Sequence, residues 1–342
     1  MLFDGPVALD AVQREHDAFV ATLRGLGAQV EYVEDLLAEA LEAPGERARL
    51  LRELAGEAPA AVGERLAALP AARLACRLIG GVAAEGPTAS VRRLPGASAW
   101  HVPPLPNLLF PRDILAVLGD RVHVARPARA ARRTEGTVAA SIAHTDPALR
   151  AAGRWSEHEL SVEGGDVLLA GDGVAVIGIG PRTRSSAAKA LARRLLGEGG
   201  MREVIAACMP SDGPFHLDLA LTMLDHDAVL IDRAVVGRTH AVRWRAGHPP
   251  LPHPSLLGAL RDALGRDLRV VEAGEDGSVR PWDRGANVVA VRPGAVVAYA
   301  DNRLTNRRLE RAGIEVHGVA GAELGRGRGG PRCLTCPLVR GA

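Results

Sequence analysis

Cys333 follows a loop that is nearly all glycine and arginine, Gly325-Arg326-Gly327-Arg328-Gly329-Gly330-Pro331-Arg332. Positive charge, backbone N–H groups and access each favour a reactive thiolate, and a loop of this kind can offer all three. Three further clusters carry acids or a base. They are Asn107-Leu108-Leu109-Phe110-Pro111-Arg112-Asp113, Glu163-Gly164-Gly165-Asp166 and Phe215-His216-Leu217-Asp218. Each has a plain alternative: a loop carboxylate, an acidic turn, or a half-buried polar pair. In the second cluster, two glycines would let the chain turn tightly enough for both carboxylates to enter one cavity. In the third, a period of two puts His216 and Asp218 on one side of a strand, where the carboxylate tunes the imidazole.

Cys333-Leu334-Thr335-Cys336 is also a C-x-x-C. Structural zinc needs a second pair of ligands, and Cys76 and Cys208 are solitary. A thioredoxin-like pair needs a helix starting at the first cysteine, whereas Pro337 follows Cys336 almost at the end of the chain. Cys333 is therefore read as a nucleophile and Cys336 as packing. One thiol, one imidazole and the carboxylates of Asp113, Glu163, Asp166 and Asp218 do not suit ester or amide hydrolysis, which needs oxyanion donors. They suit a planar cation with many donors. A guanidinium fits, because carboxylates can grip it in bidentate fashion and aim its carbon at sulfur.

The elements that must position these groups repeat in one order: hairpin, helix, glycine, strand. In the clearest copy, Val167–Ala170 and Val174–Ile179 flank Gly171-Asp172-Gly173, Ser185–Leu196 is a helix and Arg202–Ala207 a strand. A second copy runs Asn287–Val291, Ala295–Ala300, helix Asn302–Ala312 and strand Ile314–Val319. A third runs Leu217–Leu224, Ala228–Asp232, helix Ser255–Leu264 and strand Leu268–Glu272. A looser fourth begins with a hairpin at Ile114–Leu118 and Arg121–Ala125. Near the start only half a unit is legible, a helix Val7–Leu26 and a strand Gln29–Val33, so its hairpin is expected before Met1. Five such units imply a pseudo-fivefold α/β ring with loops converging on the axis. Residues 34–85 break the order. They read as four short helices separated by Pro44, Pro59 and Pro70, a helical insertion between 1–33 and 86–342.

Composition sets broad bounds. Lys+Arg is 42 and Asp+Glu 40, so global charge argues for neither nucleic acid nor a membrane surface. Lys189 is the single lysine, so arginine is favoured throughout and one arginine alone says little. No apolar run reaches the roughly 18 residues of a membrane span, and the start lacks the basic region of a secretory signal. Four cysteines without a disulfide pattern fit a reducing, cytoplasmic setting.

The ordered motifs resemble the arginine deiminase family of the guanidino-modifying pentein superfamily. They are Pro104-Leu105-Pro106-Asn107, Phe110-Pro111-Arg112-Asp113, Glu163-Gly164-Gly165-Asp166, Gly180-Pro181-Arg182-Thr183, His216-Leu217-Asp218, Asp301-Asn302-Arg303-Leu304-Thr305-Asn306, and Glu323 through Gly330 leading to Cys333. The resemblance implies an α/β propeller with an inserted helical domain. It also implies hydrolysis of L-arginine to citrulline and ammonia in arginine catabolism, with no metal or organic cofactor and no nucleic-acid or membrane partner. A homo-oligomer is open to such a chain. The resemblance assigns Cys333 as nucleophile, His216 as acid and base, Asp113 and Asp218 as guanidinium ligands, and Glu163 as holder of a substrate nitrogen. Asn107, Arg132 and Arg182 would bind the substrate carboxylate, Asp166 would support the site, and Arg328 would flank the nucleophile. Two departures stand out. Pro111 replaces a small polar residue next to Asp113, and the segment carrying the first hairpin is not seen, as in a truncated chain. The alternatives are another guanidino-modifying reaction (amidino transfer or dimethylarginine hydrolysis) and a non-catalytic arginine-binding protein.

Overall fold

The computed structural model describes residues 3–84, 99–154, 161–274 and 285–339. Within these the fold is mixed α/β, and four copies of the repeated unit are formed. In each, two antiparallel strands are followed by a helix, and a third strand pairs in parallel with the second. The strands are Leu115–Leu118, Arg121–Val124 and Gly153–Arg154 in the first copy, and Val167–Gly171, Val174–Ile179 and Glu203–Cys208 in the second. Leu221–Met223, Ala228–Ile231 and Arg269–Glu272 form the third, and Val289–Arg292, Ala295–Tyr299 and Glu315–Val319 the fourth. A parallel return needs a long crossover, and the helix supplies it. Helix Ser185–Gly197 shows why it docks: Ala188, Leu191 and Leu195 recur on one face and are fully buried. At the hairpin turn of the same unit, Gly171, Asp172 and Gly173 all have positive φ, the geometry that glycine permits.

The looser first copy is completed by helix Arg133–Thr145. The third copy holds an excursion the sequence did not reveal. After Ala228–Ile231 the chain makes a short helix, Arg233–Val236, then the hairpin His240–Trp244 and Leu251–His253. His240–Trp244 pairs with Glu203–Cys208 and extends the second unit's sheet to five strands.

The half unit at the start is corrected. Helix Leu9–Gly25 is present and buries Phe19, Val20 and Leu23. The expected strand Gln29–Val33 is not: residues 28–32 are irregular and Val33 opens the next helix. A strand is stabilised by a neighbour that takes its backbone hydrogen bonds, and none of the described residues pairs there. Helices Val33–Glu42, Glu46–Ala55, Ala60–Ala67 and Ala71–Gly80 match the expected helical segment. Their leucines, among them Leu37, Leu50, Leu74 and Leu78, share one apolar cluster with Val138, Ala139 and Ile142 of helix Arg133–Thr145. Ser141 adds a 2.7 Å hydrogen bond to Glu46 across that junction. The expected boundary at residues 85 and 86 falls outside the described residues.

The architecture gathers one kind of segment. Just before the first strand of each unit lies a turn: Pro111–Asp113, Gly164–Asp166, Leu217–Leu219, and the stretch holding Asn287. The first three are single 3₁₀ turns. The loop carrying Cys333 comes after the last strand, beyond the turn Leu324–Gly327.

Candidate active site

Asp113, Glu163, Asp166, His216, Asp218 and Cys333 are all buried, none more than 4% exposed. His216 and Asp218 do not lie on a strand. His216 is extended and Asp218 sits in the following 3₁₀ turn, and that turn brings them together. Gly164 and Gly165 are required for close approach, not for unusual backbone angles. A Cβ at 164 would lie 2.1 Å from the Arg112 carbonyl oxygen, and one at 165 would lie 2.7 Å from the His216 ring.

The imidazole is held between two acids. His216 Nε2 lies 2.8 Å from Glu163 Oε2, and Nδ1 lies 3.3 Å from Asp113 Oδ1. Burial alone would discharge the ring, but Asp113, Glu163 and Asp166 outweigh it and raise its pKa to about 10. Glu163 moves the other way. Burial raises it, and the more strongly opposing His216 and Arg182 bring it down to about 2. His216 is thus an imidazolium at neutral pH, with a proton to give.

Two arginines grip the same acids. Arg132 Nη1 donates to Asp113 Oδ2 at 2.5 Å and its Nε to Glu135 Oε2 at 2.7 Å, while Nη2 reaches the Asn107 carbonyl at 3.0 Å. Arg182 Nη1 donates to Glu163 Oε2 at 2.9 Å, and its guanidinium lies 5.1 Å from the Phe215 ring centre. Atoms of Asp113, Glu163 and His216 lie within 4.8 Å of one another, close enough to share a metal. A protonated imidazole is no ligand, however, and two guanidiniums already balance the carboxylates.

Cys333 lies against Asp218, with sulfur 3.8 Å from Oδ2. The expectation of a lowered thiol pKa is corrected. Burial and the charges of Asp218 and Asp113 push it well above its ordinary value, opposed by the Gly330 backbone and by Arg112. One loop arginine stays close, with Arg332 Nε 3.6 Å from Asp218 Oδ2, the oxygen that faces the sulfur, and two others are paired elsewhere. Arg328 donates to Asp4 Oδ1 at 2.8 Å and Arg326 to Glu323 Oε1 at 3.1 Å. The Cys333 N–H donates to Asn287 Oδ1 at 3.2 Å, and Asn287 Nδ2 donates to the Asp218 carbonyl at 3.0 Å.

Asn107, Phe110, Asp113, Arg132, Arg182, Phe215, Gly327, Arg328, Gly329 and Cys333 line one cavity. Buried atoms of the site that make no hydrogen bond include Asp113 Oδ1, Asp166 Oδ2, Arg182 Nε, His216 Nδ1 and Asp218 Oδ1, and of these Asp113 Oδ1 and His216 Nδ1 face each other at 3.3 Å. Comparison with known proteins identifies the family. A family model described as arginine deiminase matches residues 1–340. The chain belongs to the arginine deiminase family. The arginine deiminase of Rhodococcus opacus (strain B4) is 38% identical to it, across 99% of this chain and 89% of that protein. That of Mycobacterium avium (strain 104) is 37% identical, across 99% and 90%. Among solved structures, the N-terminal domain of ArgZ, covalently bound to a reaction intermediate, superposes with a TM-score of 0.52 at 16% identity, over 69% of this chain and 76% of that one. AgrE in complex with ornithine and NAD+ gives 0.52 at 18% identity, over 70% and 31%. Identities this low speak for the fold alone, a mixed α/β fold of pentein type.

For this arginine deiminase family member, the structure brings together nearly all the residues the sequence singled out. Glu163, Asp166, His216 and Asp218 are buried but are not among the residues that line the cavity, and Asp166 Oδ1 accepts from the Leu217 N–H at 2.9 Å. It braces the His216 turn, and burial lifts its pKa to about 7. Arg328 lines the cavity, yet its guanidinium is paired with Asp4. Four contributors were given no role by the sequence reading: Glu135, Phe215, Arg112 and Asn287. Glu135 could have been found, since it sits three residues after Arg132 on one helical face. Arg112, whose Nη2 lies 3.3 Å from Thr335 Oγ1, was hidden by the abundance of arginine.

Proposed function

We propose that this chain hydrolyses L-arginine to L-citrulline and ammonia through a covalent Cys333 thiouronium intermediate. The observation that carries this reading is the pair of buried carboxylate oxygens without a hydrogen bond, Asp113 Oδ1 and Asp218 Oδ1. Two carboxylates, one of them 3.8 Å from the sulfur, suit a guanidinium presented to the thiol. Asn107, Arg132 and Arg182 line the same cavity and suit the substrate carboxylate.

The chemistry follows from the charges. The resting thiol is protonated, so it is a weak nucleophile. A guanidinium seated on Asp113 and Asp218 brings positive charge beside the sulfur and favours the thiolate, the thiol proton passing to solvent. The thiolate attacks the guanidinium carbon. His216 gives its proton to the leaving nitrogen, which departs as ammonia, and Glu163 stabilises the ring in its charged form. The neutral imidazole then takes a proton from water as it attacks the thiouronium carbon, which releases citrulline and regenerates the thiol. A Cys333→Ser variant with wild-type citrulline production would overturn the mechanism, and faster turnover of agmatine or dimethylarginine than of arginine would overturn the substrate.

The finer architecture belongs to the same proposal. Four observed units, with helix Leu9–Gly25 standing for a fifth, support a pseudo-fivefold propeller, and residues 34–85 support an insertion within it. A cytoplasmic site is supported by the free cysteines; among the described residues no helix is long and apolar enough to cross a membrane. Self-association is read by the particle's mass in solution.

A further inference from the structure

We propose that Asn287 is the positioning residue that sets the spacing between the Cys333 thiol and the Asp218 carboxylate. This rests on the reading of Cys333 as nucleophile and Asp218 as guanidinium ligand. Three of the four repeated units place an acid or a base of the site in the turn before their first strand: Asp113, Glu163 with Asp166, and His216 with Asp218. Asn287 holds the corresponding place in the fourth, two residues before Val289–Arg292. It is 4% exposed, where an unpaired amide would be costly.

Both ends of its side chain are used. Oδ1 accepts from the Cys333 N–H at 3.2 Å and Nδ2 donates to the Asp218 carbonyl at 3.0 Å. The partners fix which end is which, because a flipped amide would set N–H against N–H and oxygen against oxygen. One rigid group therefore ties the backbone of the nucleophile to the backbone of the acid that faces it. The loop is built to reach this group. A Cβ on Gly330 would lie 2.4 Å from the Asn287 carbonyl oxygen and 2.8 Å from its Oδ1, so only glycine allows the approach. The Cys333 N–H also lies 3.0 Å from the Gly330 carbonyl, so Asn287 selects the loop's position more than it satisfies a lone donor. Threonine, of similar size, offers a donor and an acceptor only on one hydroxyl oxygen, whereas asparagine carries them on separate atoms of one planar group. Aspartate keeps the first, loses the second and adds a negative charge near the sulfur.

The test uses Asn287→Ala and Asn287→Asp in the full chain, with Cys333→Ala in parallel. Steady-state turnover of arginine is measured, together with the pH dependence of Cys333 alkylation by iodoacetamide, corrected with Cys333→Ala for the other thiols. Misplacement of a reacting atom by an ångström costs about 10²-fold. Asn287→Ala should lose kcat on that scale while KM stays within about threefold. Asn287→Asp should move the alkylation midpoint up by about one pH unit, which a role confined to packing would not do. If Asn287→Ala does not fold, the near-isosteric Asn287→Asp decides. Unchanged kcat and an unchanged alkylation midpoint, beside an inactive Cys333→Ala, overturn the role of Asn287 alone. An active Cys333→Ala overturns the nucleophile and this proposal together.

Discussion

Cys333 Sγ lies 3.8 Å from Asp218 Oδ2, so the thiol faces an acid and not a base. Burial, with the charges of Asp218 and Asp113, raises the thiol pKa, and in the proposed mechanism the same carboxylate holds the substrate's cationic head. In that mechanism reactivity is conditional on substrate charge. Replacing Asp218 should separate these effects. Opposed charges or like charges about 4 Å apart interact by about 4 kcal/mol at an effective dielectric of 20, an upper bound here. Asp218→Asn should therefore lower the pH midpoint of Cys333 alkylation by about one unit or more, while arginine turnover falls by about 10²-fold. An alkylation midpoint that stays put or rises would remove Asp218 as the cause of the raised thiol.

His216 ties pH to stability. Its folded pKa is raised from 6.5 to about 10, so its contribution is fully present below pH 6.5 and is lost as pH rises through 10. Thermal unfolding of the wild type should show Tm falling between pH 7 and pH 10 more steeply than in His216→Asn. Parallel slopes would mean that the ring is not held charged by Asp113 and Glu163.

Glu135 is the counter-ion behind Arg132. Burial raises its pKa to about 7, against the pull of Arg132. With Glu135 neutral, Arg132 leans on Asp113 and competes with substrate for it. Glu135→Gln should raise KM for arginine by about tenfold, roughly the 1.4 kcal/mol expected of one charged hydrogen bond, with a smaller change in kcat. A KM equal to that of the wild type would reduce Glu135 to a packing role.

Gly329 marks how tightly the nucleophile loop is seated. A Cβ there would lie 2.6 Å from the Phe110 ring and 3.0 Å from the Cys333 Cβ. Gly329→Ala should cost about 1–3 kcal/mol of stability in denaturant titration, together with most of the activity. Gly197→Ala, where a Cβ meets nothing within 4 Å, should leave both unchanged. Equal behaviour of the two variants would show that the loop tolerates displacement.

Much of this was legible in the chain. The hairpin–helix–strand order was readable because its signals are local: apolar alternation, one-sided helical faces and glycine stops. The pairing of His240–Trp244 with Glu203–Cys208 was not, since the hairpin His240–Trp244 and Leu251–His253 joins the sheet of a different unit, and sequence shows no partner. The strand expected at Gln29–Val33 had the right composition but no neighbour to bond.

The sequence alone determined which groups the site could contain: a thiol in a glycine-rich loop, one histidine among acids, and an order of motifs specific to a family. Tertiary structure decided their states. The carboxylates of Asp113, Glu163 and Asp166 keep His216 charged against its burial, and burial beside Asp218 keeps Cys333 neutral. Residue types fix ordinary pKa values, whereas desolvation and the distance to neighbouring charges set the actual ones. The contact of Cys333 with Asn287 likewise joins residues 46 positions apart, a distance that no local pattern records.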